Sequence, residues 1–162
     1  MKGARVLGQA LLPGVVLVVA FLVTASLLSG PFWGRFADLS SRRVMMLAAV
    51  LTAALGLLVY LLDSLRPGWL ALGWTLPALY FGLSIAHQGV RIGRKTYVVD
   101  LAQGNRRTDY VAVSNSLIGV ILLLLGFAGA LGAVLAVSQI ILLLSLLGAL
   151  GALMALGLPE VE

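Results

Sequence analysis

A ten-residue stretch between two long apolar segments holds the most informative combination of side chains in this sequence. From Gly34 to Arg43 it reads G-x-x-x-D-x-x-x-R-R, with Asp38 at its centre and Arg42 beside Arg43 at its end. The Asp38 carboxylate is able to accept hydrogen bonds from N–H groups at a helix N-terminus, and the two guanidinium groups can pair with it or with lipid phosphate. Gly34 would let a neighbouring helix approach closely. The spacing predicts a tight charged turn, and the alternative is an ordinary basic loop beside a membrane.

A second group of polar side chains lies at residues 87–95. His87 and Gln88 come first, and Arg91, Arg94 and Lys95 follow at i, i+3 and i+4, a spacing that predicts one shared helical face. A histidine there can relay protons or make one hydrogen bond between helices. Arg91 at membrane depth would face the bundle interior and suit an anionic solute or a gating carboxylate. The alternative is a helix that leaves the membrane with its cations extended to the interface.

Two acids and one amide complete the candidate set. Asp100 and Asp109 are the nearby acids that could pair with Arg94, Lys95, Arg106 or Arg107 at a cytoplasmic gate. Asn115 carries both a donor and an acceptor, so it suits a polar group of a solute, and it equally suits a hydrogen bond between helices.

The remaining composition excludes several classes of protein. The chain has one histidine, no cysteine and only six acidic residues, none of them in the middle of an apolar segment. A metal site, a catalytic set and a phosphate-binding glycine loop are all absent from the pattern, so neither an enzyme nor a cofactor is expected. The net charge of +5 is typical of basic residues that flank membrane spans, and no nucleic-acid partner is expected.

The elements that must position these residues are apolar and long. Hydrophobic residues make up 61% of the chain and charged residues 10%, whereas a soluble domain carries about 25% charged residues. Segments of about 20 apolar residues predict membrane-crossing helices, because lipid requires every backbone group to be satisfied internally. We therefore predict a single all-α transmembrane domain of about five helices. The predicted spans are 11–33, 44–62, 69–90, 110–131 and 139–158, joined on one side by links 34–43 and 91–109.

The distribution of basic residues predicts the orientation. Links 34–43 and 91–109 hold eight of the eleven Lys and Arg residues, and alternating spans put both links on one side. The positive-inside rule makes that side cytoplasmic, which places the N-terminus outside and the C-terminus inside. Lys2 and Arg5 oppose this orientation, and a basic start before an apolar run is also typical of a signal peptide.

The Gly34–Arg43 stretch resembles the loop signature of the major facilitator superfamily, G-x-x-x-D-R-x-G-R-R. Gly34, Asp38, Arg42 and Arg43 match it, whereas Leu39 stands where the family has Arg and Ser41 where it has Gly. The stretch from Gly93 to Asp100 is similar to the link between helices ten and eleven in some bacterial members, and Leu158-Pro159-Glu160 is similar to the end of helix twelve. The resemblance implies helices eight to twelve of a twelve-helix carrier, with helices two to six as the competing register.

A member of that superfamily is expected to be a secondary active transporter of a small solute in a bacterial inner membrane. The resemblance implies alternating access around a midplane site, with the turn at Asp38, Arg42 and Arg43 as part of an inner gate. It also implies a partner, namely the N-terminal helical half or another subunit, and we expect no transport by residues 1–162 alone. The alternative is a small polytopic subunit that oligomerises through its glycine seams, with a structural or interaction role.

Overall fold

The structure is a computed structural model that describes residues 2–102 and 106–161. Its side chains are described from Val16 onward, except those of residues 17, 103–105, 128, 129, 133 and 162. The part of the predicted link 91–109 that falls on residues 103–105 lies outside the described residues.

Within these ranges the chain is helical and contains no strand, as the apolar segments predict. The helices are α1 (Lys2–Leu39), α2 (Ser41–Leu65), α3 (Pro67–Leu70), α4 (Thr75–Leu101), α5 (Arg107–Ala128) and α6 (Val137–Leu156), with a 3₁₀ helix at Gly129–Ala133. The all-α fold class is confirmed.

The break between α1 and α2 is a single residue, Ser40. Its backbone is extended, with φ −167° and ψ 101°, and its hydroxyl accepts a hydrogen bond from the N–H of Arg43 at 3.2 Å. This is N-cap geometry, which satisfies one of the N–H groups left without a partner at a helix start. Apart from Ser40, the predicted link 34–43 is therefore helical rather than a loop.

The turn after α2 contains a proline that starts a new helix. Pro67 occupies the first turn of the one-turn helix α3, where its missing N–H costs nothing. Residues 71–74 then form a turn, and α4 begins at Thr75, six residues after the start of the predicted span 69–90. The helix continues beyond residue 90 to Leu101, so residues 91–101 of the predicted link 91–109 are helical too.

Helix α2 occupies the centre of the bundle, with α4 and α6 both packed extensively against it. Helix α1 packs mainly on α4, and α5 lies against α4 and against the 3₁₀ helix that follows it. All the described residues of α5 are exposed or only half-buried. Helix α4 is therefore flanked by α1 and α2, α2 by α4 and α6, and α5 is attached at α4.

The packed core lies where α1, α2 and α4 meet. Trp33, Ala37, Val44 and Ala48 are buried together, and the indole N–H of Trp33 donates a 2.9 Å hydrogen bond to the carbonyl of Ile85 on α4. The large Trp33 ring is only 1% exposed. It fits between the neighbouring helices because the residue opposite it on α4 is a glycine.

That glycine is Gly89, and Gly93 makes a second close approach one turn later. A Cβ on Gly89 would lie 2.7 Å from Cε2 of Trp33, and one on Gly93 would lie 3.0 Å from the backbone N of Met45. This G-x-x-x-G pair therefore packs closely against α1 and α2. The expectation of a close approach at Gly34, one helical turn after Gly30, is wrong in this bundle, because an added Cβ there would meet no atom within 4 Å.

Four helical segments of the described chain are long and apolar enough to cross a membrane. They are Val18–Leu39, Ser41–Leu65, Arg107–Gly132 and Val137–Leu156. Helix α4 has 27 residues but is not among them, because its later start brings the polar residues 87–95 inside the helix. The chain is thus a helical membrane protein, and its described residues hold four apolar spans where the sequence predicts about five.

Candidate functional site

Four helix ends and the C-terminal tail meet at one end of the bundle. The last turns of α1 and α4, the first turn of α2 and the residues after α6 are joined there by polar contacts. Helix α5 begins at the same end, after α4. The two predicted basic links therefore lie at the same end of the bundle, together with the C-terminal tail.

Glu160 is the centre of these contacts. Its Oε1 accepts a hydrogen bond from the Ser40 hydroxyl at 2.8 Å, and its Oε2 lies 3.1 Å from Nη1 of Arg42. Arg43 approaches Oε1 through Nε at 3.5 Å. One carboxylate thus holds three side chains of the α1–α2 turn, two of them cationic. Charge-assisted contacts of this kind are stronger than neutral hydrogen bonds, although partial exposure weakens them.

Two backbone carbonyls of the tail are held as well. Nη1 of Arg42 donates to the carbonyl of Leu158 at 2.8 Å, and the Tyr97 hydroxyl donates to the carbonyl of Pro159 at 3.2 Å. We call this set the tail latch. It consists of Ser40, Arg42, Arg43 and Tyr97 with tail residues 158–160.

The burial of the tail latch is graded. The side chain of Arg42 is 26% exposed, that of Glu160 39% and that of Arg43 68%. Nε of Arg42 is buried and has no hydrogen-bond partner among the described residues. The inner pair is therefore shielded from water on one side, whereas Arg43 remains largely in solvent, where a salt bridge contributes little.

Glu160 was missed as a functional residue in the sequence analysis. It is separated from the Gly34–Arg43 stretch by well over a hundred residues, so no spacing rule connects them. The available signal was weak: it is one of few acids in the chain, and topology puts it at the same end as most of the cations.

Asp38 does not make the contact predicted for it. The two arginines bind Glu160 instead, and the exposed carboxylate of Asp38 lines a cavity of about 460 Å³ with Thr96 and Asp100. Asp38 and Asp100 carry the same charge and so cannot pair with each other. Asp38 and Asp100, both predicted as site residues, therefore lie together and form an acidic patch next to the tail latch.

His87, Gln88 and Arg91 lie on α4, away from the tail latch contacts. His87 and Arg91 are exposed and share a face, since they are four residues apart. That face is roughly opposite to Gly89, which points at α1 and α2. Gln88 is half-buried. These side chains therefore point away from the packed core.

Arg94 and Asn115 lie together in the groove between α4 and α5. They line a cavity of about 310 Å³, with Lys95 and Ser114 beside them. Arg94 also lines a neighbouring cavity of about 480 Å³, to which Asp109 contributes. Among the described side chains, neither Asp109 nor Asp100 forms the predicted ion pair with a basic residue of this region.

No group of three or more His, Asp or Glu side chains in the described chain is placed to hold a metal ion. The chemistry that the site offers is therefore reversible ion pairing and hydrogen bonding at one end of an apolar bundle. Comparison with protein-family models, curated proteins and solved structures found no match to this chain.

Proposed function

We propose that the chain forms one helical half of a secondary active transporter of a small solute, of the major facilitator type. The observation that carries the proposal is the tail latch, in which Arg42 and Arg43 of the signature-like turn close on Glu160. Two of the four residues that match the family's loop signature, Arg42 and Arg43, thus take part in a charged closure at one end of the bundle.

A transporter gate has to seal one side of the membrane and still open on each cycle. A network of ion pairs satisfies both needs, because partly exposed pairs contribute only about 0–1 kcal/mol each and are easily exchanged. The distances of 3.1 and 3.5 Å and the partial exposure of Glu160 fit such a closure. An apolar seal would be harder to open, since its contacts are not replaced by water.

The second helical half is supplied, in this proposal, by residues outside 1–162 or by another subunit. Its contact surface would include the face of α4 that carries His87 and Arg91. Both are polar and exposed, although a membrane normally admits such side chains only toward a bundle interior or a water-filled cavity. They are the proposed solute or gate contacts, with Gln88 behind them.

The proposed location is a bacterial inner membrane with the tail latch on the cytoplasmic side. Arg42, Arg43, Arg94 and Lys95 all belong to the end of the bundle where α2 begins and α4 ends. Basic residues concentrate on the cytoplasmic side of membrane proteins, so this end faces inward and residue 64 faces outward.

Transport is tested in membrane vesicles from the source cell with and without the gene. A panel of radiolabelled sugars, amino acids and organic ions should reveal one class whose uptake depends on the gene. Purified residues 1–162 in liposomes should give no flux above protein-free liposomes, because the second half is missing. Absence of any gene-dependent flux, with the protein present in the vesicles, would contradict the proposal.

A second candidate is a small polytopic subunit with a structural or interaction role. It is favoured by α5, which exposes large apolar side chains on all sides, among them Val113, Leu117 and Leu123. A partner helix in the membrane would cover such a surface. A stable homo-oligomer of the purified chain, together with no gene-dependent flux, would establish this second function instead.

A further inference from the structure

The groove between α4 and α5 combines two features that the proposed function does not use. Its mouth carries the cations Arg94 and Lys95, with the polar groups of Ser114 and Asn115 next to them. Its floor is apolar and includes Val98 and Val99 on α4 and Val111 on α5. A cationic mouth above an apolar channel matches the two chemical parts of a phospholipid.

The depth of the cations fits the headgroup region. Gly93 packs against the backbone N of Met45, so its neighbour Arg94 lies level with the first turn of α2. That turn carries Arg42 and Arg43 of the tail latch. Arg94 is half-buried and Lys95 exposed, so both can extend toward the surface of the bilayer.

The apolar part continues in the direction of a lipid tail. On the face of α5 that carries Asn115, Val111 is 37% exposed, and Leu122 and Leu125 follow at helical spacing with 61% and 39% exposed. Beyond the cavity that Arg94 and Asn115 line, these side chains extend away from the charged end and toward the membrane centre. An acyl chain would lie along them in a fixed position rather than among bulk lipid.

We infer that this groove binds an anionic phospholipid, with its phosphate against Arg94 and Lys95 and an acyl chain along Val111 and Leu122. Basic pockets between helices on the cytoplasmic side are known to select anionic headgroups. Asp109, which lines the adjoining cavity, reduces the positive charge of the site but does not cancel it. Ser114 and Asn115 supply hydrogen-bond donors for the remaining headgroup oxygens. The inference requires only that the chain is embedded in lipid, and it holds whether or not the protein transports a solute.

The test uses the absence of cysteine in the chain. A Leu122→Cys variant is labelled with bimane and reconstituted in bilayers in which either the phosphatidylglycerol or the phosphatidylcholine carries brominated acyl chains. Brominated phosphatidylglycerol should quench the label far more strongly than brominated phosphatidylcholine at equal mole fraction. A label at Leu150→Cys on the exposed face of α6 is the control and should be quenched equally by both lipids.

Three further variants assign the preference to the groove. R94Q/K95Q should lower the relative affinity for phosphatidylglycerol roughly tenfold. R35Q/R66Q removes the same charge from exposed positions elsewhere and should leave the preference unchanged. D109N should strengthen the preference for phosphatidylglycerol. Loss of folding would weaken that preference, so it cannot produce this result.

Two results would overturn the inference. One is equal quenching of Leu122→Cys by both lipids in the native background. The other is displacement of brominated phosphatidylglycerol by millimolar inorganic phosphate, which would identify a site for the free anion instead of a lipid. Retention of the lipid in phosphate, with weakening of the preference at high ionic strength, is the expected result.

Discussion

Replacement of Gly89 by alanine should destabilise the bundle, because the added methyl has no space. Its Cβ would lie 2.7 Å from Cε2 of Trp33 and 2.8 Å from Cβ of Ala48, against 3.4 Å or more for an ordinary contact. The ring cannot turn away at low cost, since it is buried and its N–H is bound to the carbonyl of Ile85. Overpacking of this kind costs about 1–3 kcal/mol, and the better helix propensity of alanine returns about 0.5–1 kcal/mol. We expect a net loss of about 1–2 kcal/mol.

Gly34→Ala is the matched control for this substitution. It makes the same chemical change in a helix, but an added Cβ at Gly34 meets nothing within 4 Å. Only the propensity term remains, so the control should be stabilised by about 0.5–1 kcal/mol. The assay is unfolding by sodium dodecyl sulfate in mixed micelles, followed by circular dichroism. If Gly89→Ala proved as stable as Gly34→Ala, the packing of Trp33 over α4 would be refuted.

Three other substitutions probe the core and the tail latch. Glu160→Gln keeps an acceptor for the Ser40 hydroxyl but loses both ion pairs, about 1 kcal/mol in all, so amide exchange in residues 157–161 should accelerate about fivefold. Asp63→Asn, at an exposed acid, should leave that exchange unchanged, and an equal rate in both variants would contradict the tail latch. Ser40→Ala removes the helix cap as well as the bond to Glu160 and should lower the free energy of unfolding by about 1–2 kcal/mol, whereas Ser40→Asn should retain most of it. Trp33→Phe should cost about 2 kcal/mol through the lost hydrogen bond and the smaller ring, and a change below 0.5 kcal/mol would refute the bond to Ile85.

The sequence predicts the helices well, because apolar length is a property of each segment alone. The residues at which each helix begins and ends are harder to predict. The predicted link 34–43 reads as a loop because of its charges, yet one capping serine is enough to separate two helices, and the charged residues stay helical. Polar residues 87–95 likewise lie inside α4 instead of after it.

The glycine motifs mark another limit of the sequence. Gly89 and Gly93 have the same spacing as Gly30 and Gly34, but only the first pair meets a neighbouring helix closely. Spacing determines which residues share a helical face, whereas the packing of the whole bundle determines what that face meets. Gly126 on α5 has open space for the same reason.

The candidate site was predictable in part. The Gly34–Arg43 stretch identifies Arg42 and Arg43, and both take part in the tail latch. The sequence offers Asp38 or lipid phosphate as their partner, whereas the fold brings Glu160 to them. Tyr97 and the tail carbonyls were not predictable, since these contacts depend on where α4 and α6 end.

The membrane orientation of the tail latch is the claim on which the transporter proposal depends most directly. Leu39, Ser64 and Arg106 are exposed, so a single cysteine introduced at each position is open to labelling. The chain has no cysteine of its own. Intact cells are treated with an impermeant maleimide before and after permeabilisation. We expect labelling at position 64 in intact cells, and at positions 39 and 106 only after permeabilisation. Labelling at 39 and 106 in intact cells would put the tail latch outside, contradict the positive-inside orientation and remove the match to the C-terminal half of a carrier.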